Sequence, residues 1–276
     1  MSDKQTSRTA FGAAYMRAAH QLLDAPPRIL DDSVIVTLLG KQVTERIHQT
    51  RDAYQAPERL ALRAHVVLRS RFAEDRLASA VQRGVTQYII LGAGLDTFAL
   101  RQPDWAQRMR IVEVDHAATQ GTKRDLLKRA GLAIPTNVQL ASVDFEHETL
   151  REGLMRHKVS FTEPAFFSWL GVTMYLNEAA IDSVLQTIAE FPATSEVVLT
   201  FARADGPQSP FDSRAAEVGE QWLSYFTPDS IGAKLRGFGF SLVEFLTPSE
   251  AEAKYFRDNE NSLPVPRRTN ILSARI

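Results

Sequence analysis

Short apolar runs alternate along the chain with longer stretches whose apolar residues recur at helical spacing. The runs at 88–91, 110–115, 138–143, 165–170, 196–201, 240–246 and 270–275 have the length and composition of strands. Between them, 117–130 reads as a helix closed by Gly131, and 146–157 as a second helix. Residues 177–191 open on the capping residue Asn177 and carry Ile181, Val184, Leu185 and Ile188 on one stripe. Residues 228–237 are helical, and 97–100 read as the start of a helix after the first strand. The alternation predicts an α/β fold: a Rossmann-like, seven-stranded, mostly parallel sheet with an antiparallel edge strand from the final pair.

The first 83 residues carry no strand pattern. After a polar start, 10–23 place Phe11, Ala14, Tyr15, Ala18 and Leu22 on one helical stripe, and Ala25-Pro-Pro-Arg28 ends it. Asp31-Asp-Ser33 caps a helix that runs to Leu39 and stops at Gly40, and an arginine-rich helix spans 57–83. Residues 1–83 therefore form an N-terminal helical cap on a core at 84–276, expected to be one integrated domain. Gly206, Pro207 and Pro210 break the rhythm after the fifth strand. They predict an insertion over 203–228 that reaches across the site, with a helical piece near 217–226.

Composition narrows the chemistry. With 44% hydrophobic and 24% charged residues in 276, the chain is long enough for a full core. A net charge of −1 without basic runs argues against nucleic acid. The absence of cysteine excludes disulfides, thiolate zinc sites and a cysteine nucleophile. No stretch has the ~20 apolar residues of a membrane span, and the start has no apolar signal core, so a soluble, cytoplasmic protein is expected. Metal use is not expected, because no histidine pair stands at i, i+4 on one helix. A serine hydrolase is unsupported without a G-x-S-x-G elbow.

The stretch GVTQYIILGAGLD at 84–96 organises the rest. Strand followed by glycine turn is how an open parallel sheet begins a nucleotide site. Gly92, Ala93 and Gly94 give the G-x-G, but the position of a third glycine is Thr97. Without it the turn suits a mononucleoside-like ligand such as S-adenosylmethionine better than NAD. Asp96, Asp115 and Asp144 follow three successive strands and can converge on one sheet edge. Asp115 offers two acceptor oxygens to a ribose diol, and Asp144 an acceptor for an exocyclic amine, with the apolar Phe145 beside it. The competing reading of these acids, and of Glu113, is solvated strand ends.

Six stretches then carry a resemblance: SRTAFGAAYMRAAH near the start, LRSRFAEDRL (68–77), YIILGAGLDTFALR (88–101), VEVDHAATQGTKR (112–124), SVDFE (142–146) and WLGVTMYL (169–176). In that order they resemble the leucine carboxyl methyltransferase-related family of class I S-adenosylmethionine-dependent methyltransferases, in its bacterial polyketide O-methyltransferase-like branch. The resemblance implies S-adenosylmethionine as cofactor and S-adenosylhomocysteine as product. It implies that Arg69, with Arg71 as fallback, holds the cofactor's carboxylate and that Gly92 packs against its methionine part. Asp115 would then hold the ribose, and Asp144 with Phe145 the adenine. Arg8 is the candidate for an N-terminal basic contact. One departure stands out: Leu170 occupies the place of a glutamate in relatives that methylate a protein C-terminus.

The implied activity is O-methyl transfer to a carboxyl or hydroxyl group of a small, hydrophobic acceptor, in a chain that could form a homodimer. No catalytic base is assigned. Tyr175 is a candidate for the acceptor pocket, as are Trp222, Tyr225 and Phe226, and His65 and His116 lie nearest the cofactor motifs. Two alternatives stay open at this point: an NAD-type Rossmann oxidoreductase, and a non-catalytic S-adenosylmethionine-binding module.

Overall fold

The computed structural model describes residues 8–144, 148–205, 219–257 and 263–276. Its strands are β1 (Gln87–Leu91), β2 (Arg110–Asp115), β3 (Val138–Ser142), β4 (Ala165–Trp169), β5 (Glu196–Thr200), β6 (Leu242–Phe245) and β7 (Ile271–Arg275). They form one sheet in the order β3-β2-β1-β4-β5-β7-β6. The first five are parallel. The expected antiparallel strand is β7, which lies one place in from the margin and pairs antiparallel with both β5 and β6. Chain order runs outward from β1 to β3 and then returns to the other side of β1 at β4. That reversal opens a crevice beyond the carboxyl ends of β1 and β4, where ligands of open α/β sheets bind.

Strand alternation divides the core. Ile89, Leu91, Val112, Val114, Phe167 and Trp169 face one side. There they meet α7 (Leu150–Arg156), α8 (Glu178–Ala189) and α9 (Pro228–Gly237). Tyr88, Ile90, Ile111, Phe166 and Val198 face the other side, against α5 (Pro57–Gln82). Burying each such side chain contributes about 1.5–3 kcal/mol relative to exposure. The long α5 is thus both part of the cap and one wall of the sheet core.

The cap also contains α1 (Arg8–Leu23), α2 (Ser33–Leu39), α3 (Lys41–Gln49) and α4 (Arg51–Tyr54). With α6 (Ala117–Ala130) and Leu95, the first three build a third apolar cluster. Two buried polar networks fasten the cap. Arg17 pairs with Asp32 at 2.8 Å and donates to the Leu95 carbonyl and to Thr97 Oγ1, the latter at 3.1 Å. Thr97 in turn donates to Asp32 at 2.6 Å, and Asp32 caps α2 through the Ile35 N–H. Separately, Arg63 grips both oxygens of Asp24 at 2.8 Å, and His20 Nδ1 lies 2.7 Å from the same carboxylate. These charge-assisted contacts, bidentate between Arg63 and Asp24, compensate the desolvation of four buried charges.

Several elements differ from the sequence reading. Residues 98–100 form only a 3₁₀ turn (Phe98–Leu100): Asp96 Oδ1 accepts the Phe98 N–H at 2.7 Å, and Pro103 follows. Helix α7 begins at Leu150, where Thr149 and Glu152 make a reciprocal capping box. The described part of the expected helical piece, 219–226, is not helical, because its backbone pairs with neighbouring loops. Leu223 N–H donates to the Met174 carbonyl at 2.6 Å, and Phe226 N–H to the Ala202 carbonyl at 2.8 Å. Helices α3 and α4 were not foreseen, nor was α10 (Pro248–Ala251), which continues into a π turn (Glu252–Phe256).

Replacing Asp32 by alanine strands the Arg17 guanidinium and uncaps α2. We expect a loss of about 3–5 kcal/mol in denaturant unfolding; unchanged stability would contradict the fastening role.

Candidate active site

The glycine turn after β1 is held from β2. The Gly92 and Ala93 N–H groups both donate to the Val114 carbonyl, at 2.8 and 3.0 Å. Gly94 N–H donates to Asp115 Oδ2 at 2.6 Å, and His116 N–H donates to Asp115 Oδ1 at 2.7 Å. Gly92 has φ +65°, and a Cβ there would lie 2.3 Å from a methyl of Val172, so only glycine fits. The turn after β4 meets the cap in the same way. Gly171, at φ +74°, faces Arg69 so closely that a Cβ would sit 2.6 Å from the guanidinium.

These turns open into a cavity of about 1130 Å³. Of the residues expected at the site, Arg69, Gly92, Ala93, Gly94, Asp96, Asp115 and Tyr175 line it together, joined by Arg8, His65, Leu170 and Trp222. Asp144 is not among its lining residues: it sits beyond the β3 end, 3.6 Å from His116 Nε2. His116 caps α6 by accepting the Ala118 N–H, also away from the cavity. Phe145 lies outside the described residues. Arg71 turns away to Asp75 at 2.8 Å, which removes it as a fallback for Arg69. Phe226 belongs to the core, Tyr225 is 40% exposed, and Glu113 is buried against Lys123.

Local chemistry separates the lining groups. Burial pushes the Asp115 carboxyl above its ordinary value, and the Gly94 and His116 N–H groups oppose that shift. The Thr119 hydroxyl adds a third hydrogen bond, and the carboxylate keeps acceptor capacity for a further hydroxyl donor. Burial draws the Arg69 guanidinium down to about 10, so it stays charged at neutral pH. Its Nε is buried without a hydrogen-bond partner among the described residues, an orphan donor of the kind a carboxylate satisfies. Burial, and then Arg69, drives His65 down to about 3, so its ring is neutral at physiological pH. An amino-acid carboxylate at Arg69 and a ribose hydroxyl at Asp115 therefore fit the residues present. Among the described residues, no cluster of three or more metal-ligating side chains occurs. No described helix is long and apolar enough to cross a membrane.

Wall residues that the sequence reading does not single out include Arg59, Gly171 and Arg267. Arg59, Leu62, Val66 and Arg69 all line the cavity, and their spacing along α5 (i, i+3, i+7, i+10) is the signal that could have found the first.

Comparison with known proteins gives matches in family and in fold. The family model for leucine carboxyl methyltransferase matches residues 10–189. YktD of Bacillus subtilis (strain 168), a candidate S-adenosyl-L-methionine-dependent methyltransferase, is 27% identical over 292 residues, covering 95% of each chain. A candidate enzyme of the same description from Mycobacterium marinum is 28% identical, covering 85% of this chain and 80% of its own. A solved structure of a candidate methyltransferase from Thermobifida fusca shares the fold at a TM-score of 0.57 and 17% identity, covering 99% and 96%.

Two outcomes follow from the wall chemistry. Gly92→Ala should lower stability by about 1–2 kcal/mol from backbone conformation alone, with the Val172 clash adding to it. The double variant Gly92→Ala/Val172→Ala should recover part of that loss in chemical denaturation; no recovery would contradict the contact. His65 has a folded pKa below the ~6.5 of an unfolded histidine, so the unfolded chain takes up the proton first. Its contribution to stability is intact above pH ~6.5 and falls as pH drops toward about 3, by less than ~1.4 kcal/mol per pH unit. The stability difference between wild type and His65→Gln should therefore change over that window and stay flat above it.

Proposed function

The chain belongs to the leucine carboxyl methyltransferase family and is an S-adenosylmethionine-dependent methyltransferase, and we propose that it methylates an oxygen of a small, largely apolar acceptor. The observation that carries this reading is the single cavity where the glycine turn, Asp115 and Arg69 meet an apolar wall that includes Leu170 and Met174. When bound, the cofactor supplies a methyl group already activated on a sulfonium.

The protein's task is then alignment and exclusion of water. Arg69 would hold the cofactor's carboxylate, and Asp115 a ribose hydroxyl. Gly92 leaves room for Val172 of the turn after β4. Gly171 leaves room for the Arg69 guanidinium. A carboxylate acceptor is ionised at neutral pH and needs no base. For a hydroxyl acceptor, neutral His65 is a hydrogen-bond partner rather than a strong base, since a pKa of about 3 is far from the working pH. The apolar Leu170 in the wall favours a small apolar acceptor over a protein C-terminus.

Calorimetric titration of S-adenosylhomocysteine into wild type, Arg69→Met and Asp115→Ala tests the cofactor assignments. Binding to wild type and at least tenfold weakening (about 1.4 kcal/mol) in each variant are expected. Unweakened binding in either variant would remove that residue's assignment.

A further inference from the structure

The cavity is larger than one ligand needs. Pockets for single small molecules run to about 1,000 Å³, whereas this one reaches about 1130 Å³. Burial distinguishes its two ends. Ile90, Leu91 and Ser168 at the strand ends are buried, while Pro57, Ala61, Pro264 and Arg267 are exposed and mark a mouth. Charge is divided the same way. The only acids among the described lining residues, Asp96 and Asp115, stand at the glycine turn. Arginines stand at both ends: Arg17 and Arg69 near the two glycine turns, and Arg59, Arg267 and Arg268 toward the mouth.

Two arginines away from the glycine turn are uncommitted; a third lining arginine without a side-chain partner among the described residues, Arg8, opens α1, which packs over that turn. Arg17 is spent on Asp32, and Arg268 donates to the Asp205 carbonyl at 2.8 Å. The side chains of Arg59, in the first turns of α5, and Arg267, on the returning C-terminal segment, make no ion pair or hydrogen bond to any other described residue. They reach the same cavity from different elements, and among the described lining residues no carboxylate other than Asp96 and Asp115 is present to offset their charge. Along α5 between Arg59 and Arg69 stand Leu60, Leu62 and Val66, and Leu170, Met174 and Val265 also line the cavity. Ten residues of α5 separate Arg59 from Arg69, about 15 Å along the helix axis.

We propose that the mouth is a binding site for an anionic group at the far end of an elongated apolar acceptor, with Arg59 and Arg267 as its counter-charges. The apolar wall holds the acceptor's body, and the methyl-accepting oxygen lies at the opposite end, beside the cofactor. Guanidinium groups suit this role because they bind carboxylates through paired donors and are weakly hydrated. The inference rests on the methyltransferase reading above, which fixes which end of the cavity holds the cofactor.

The test uses 10-hydroxydecanoate and decane-1,10-diol, which share length and one hydroxyl end and differ in the anionic group. Each is titrated into the full chain saturated with S-adenosylhomocysteine, as wild type and as Arg59→Gln/Arg267→Gln. Wild type should prefer the hydroxy acid at least tenfold, the preference should fall with added salt, and the double variant should lose it. The same variant should bind S-adenosylhomocysteine within about twofold of wild type, since neither arginine faces the cofactor end. Equal affinity for acid and diol in wild type, or a preference that survives in the variant, would overturn the proposal. If only Arg59→Glu can be purified, loss or retention of the preference there decides it in the same way. Failure of wild type to bind S-adenosylhomocysteine would instead remove the cofactor reading itself, and the proposal with it.

Discussion

Arg17 is where the cap and the sheet become one molecule. Its guanidinium leaves α1, meets Asp32 at the start of α2, and reaches the Leu95 carbonyl and Thr97 just beyond the glycine turn. Arg101 extends the same network to Asp32 at 3.4 Å and to Glu74 on α5 at 2.9 Å. A buried charge of this kind is costly unless each partner is present. The network therefore specifies one placement of α1, α2 and α5 over the carboxyl ends of the strands. The cavity exists because of that placement: its floor comes from the sheet, and Arg59, His65 and Arg69 come from the cap.

The glycines make the close approach between these layers sterically possible. Gly92 admits Val172, and Gly171 admits Arg69. Gly94 stands under α1, where a Cβ would come within 3.1 Å of the Ala10 methyl. Cap, glycine turn and the β4 turn thus pack as one surface, so a substitution in any of them is felt at the cofactor end. This also explains why the acid that matters most, Asp115, is held by two backbone N–H groups rather than left to solvent. Its position is set before a ligand arrives.

Much of this was legible in the residues. The strand at 110–115 and the helix at 117–130 announce themselves through an apolar run ending in an acid and a glycine C-cap, and both stand at those bounds. The α/β class and the order of its elements followed from the same alternation. Some differences are local, such as the Asp96 contact that limits 98–100 to a 3₁₀ turn, and others come from tertiary contact overriding local pattern. Trp222, Tyr225 and Phe226 have helical spacing, yet their backbone is not helical because Met174 and Ala202 supply its hydrogen-bond partners. Helix α3 is too polar to predict and is held by packing of Ile47 and Val43 into the cap cluster. At the site, the glycine turn, Arg69 and Asp115 were readable from motif. Arg267 was not, because only the folded chain brings the segment after residue 262 back over α5.

Hydrogen–deuterium exchange with and without saturating S-adenosylhomocysteine tests most directly whether cap and sheet build the cofactor site jointly. The account predicts slowed exchange in two places at once: the amides around 93–96 in the glycine turn, and those of α1 and of α5 around Arg69. Protection confined to the strand ends, with α1 and α5 unchanged, would contradict it.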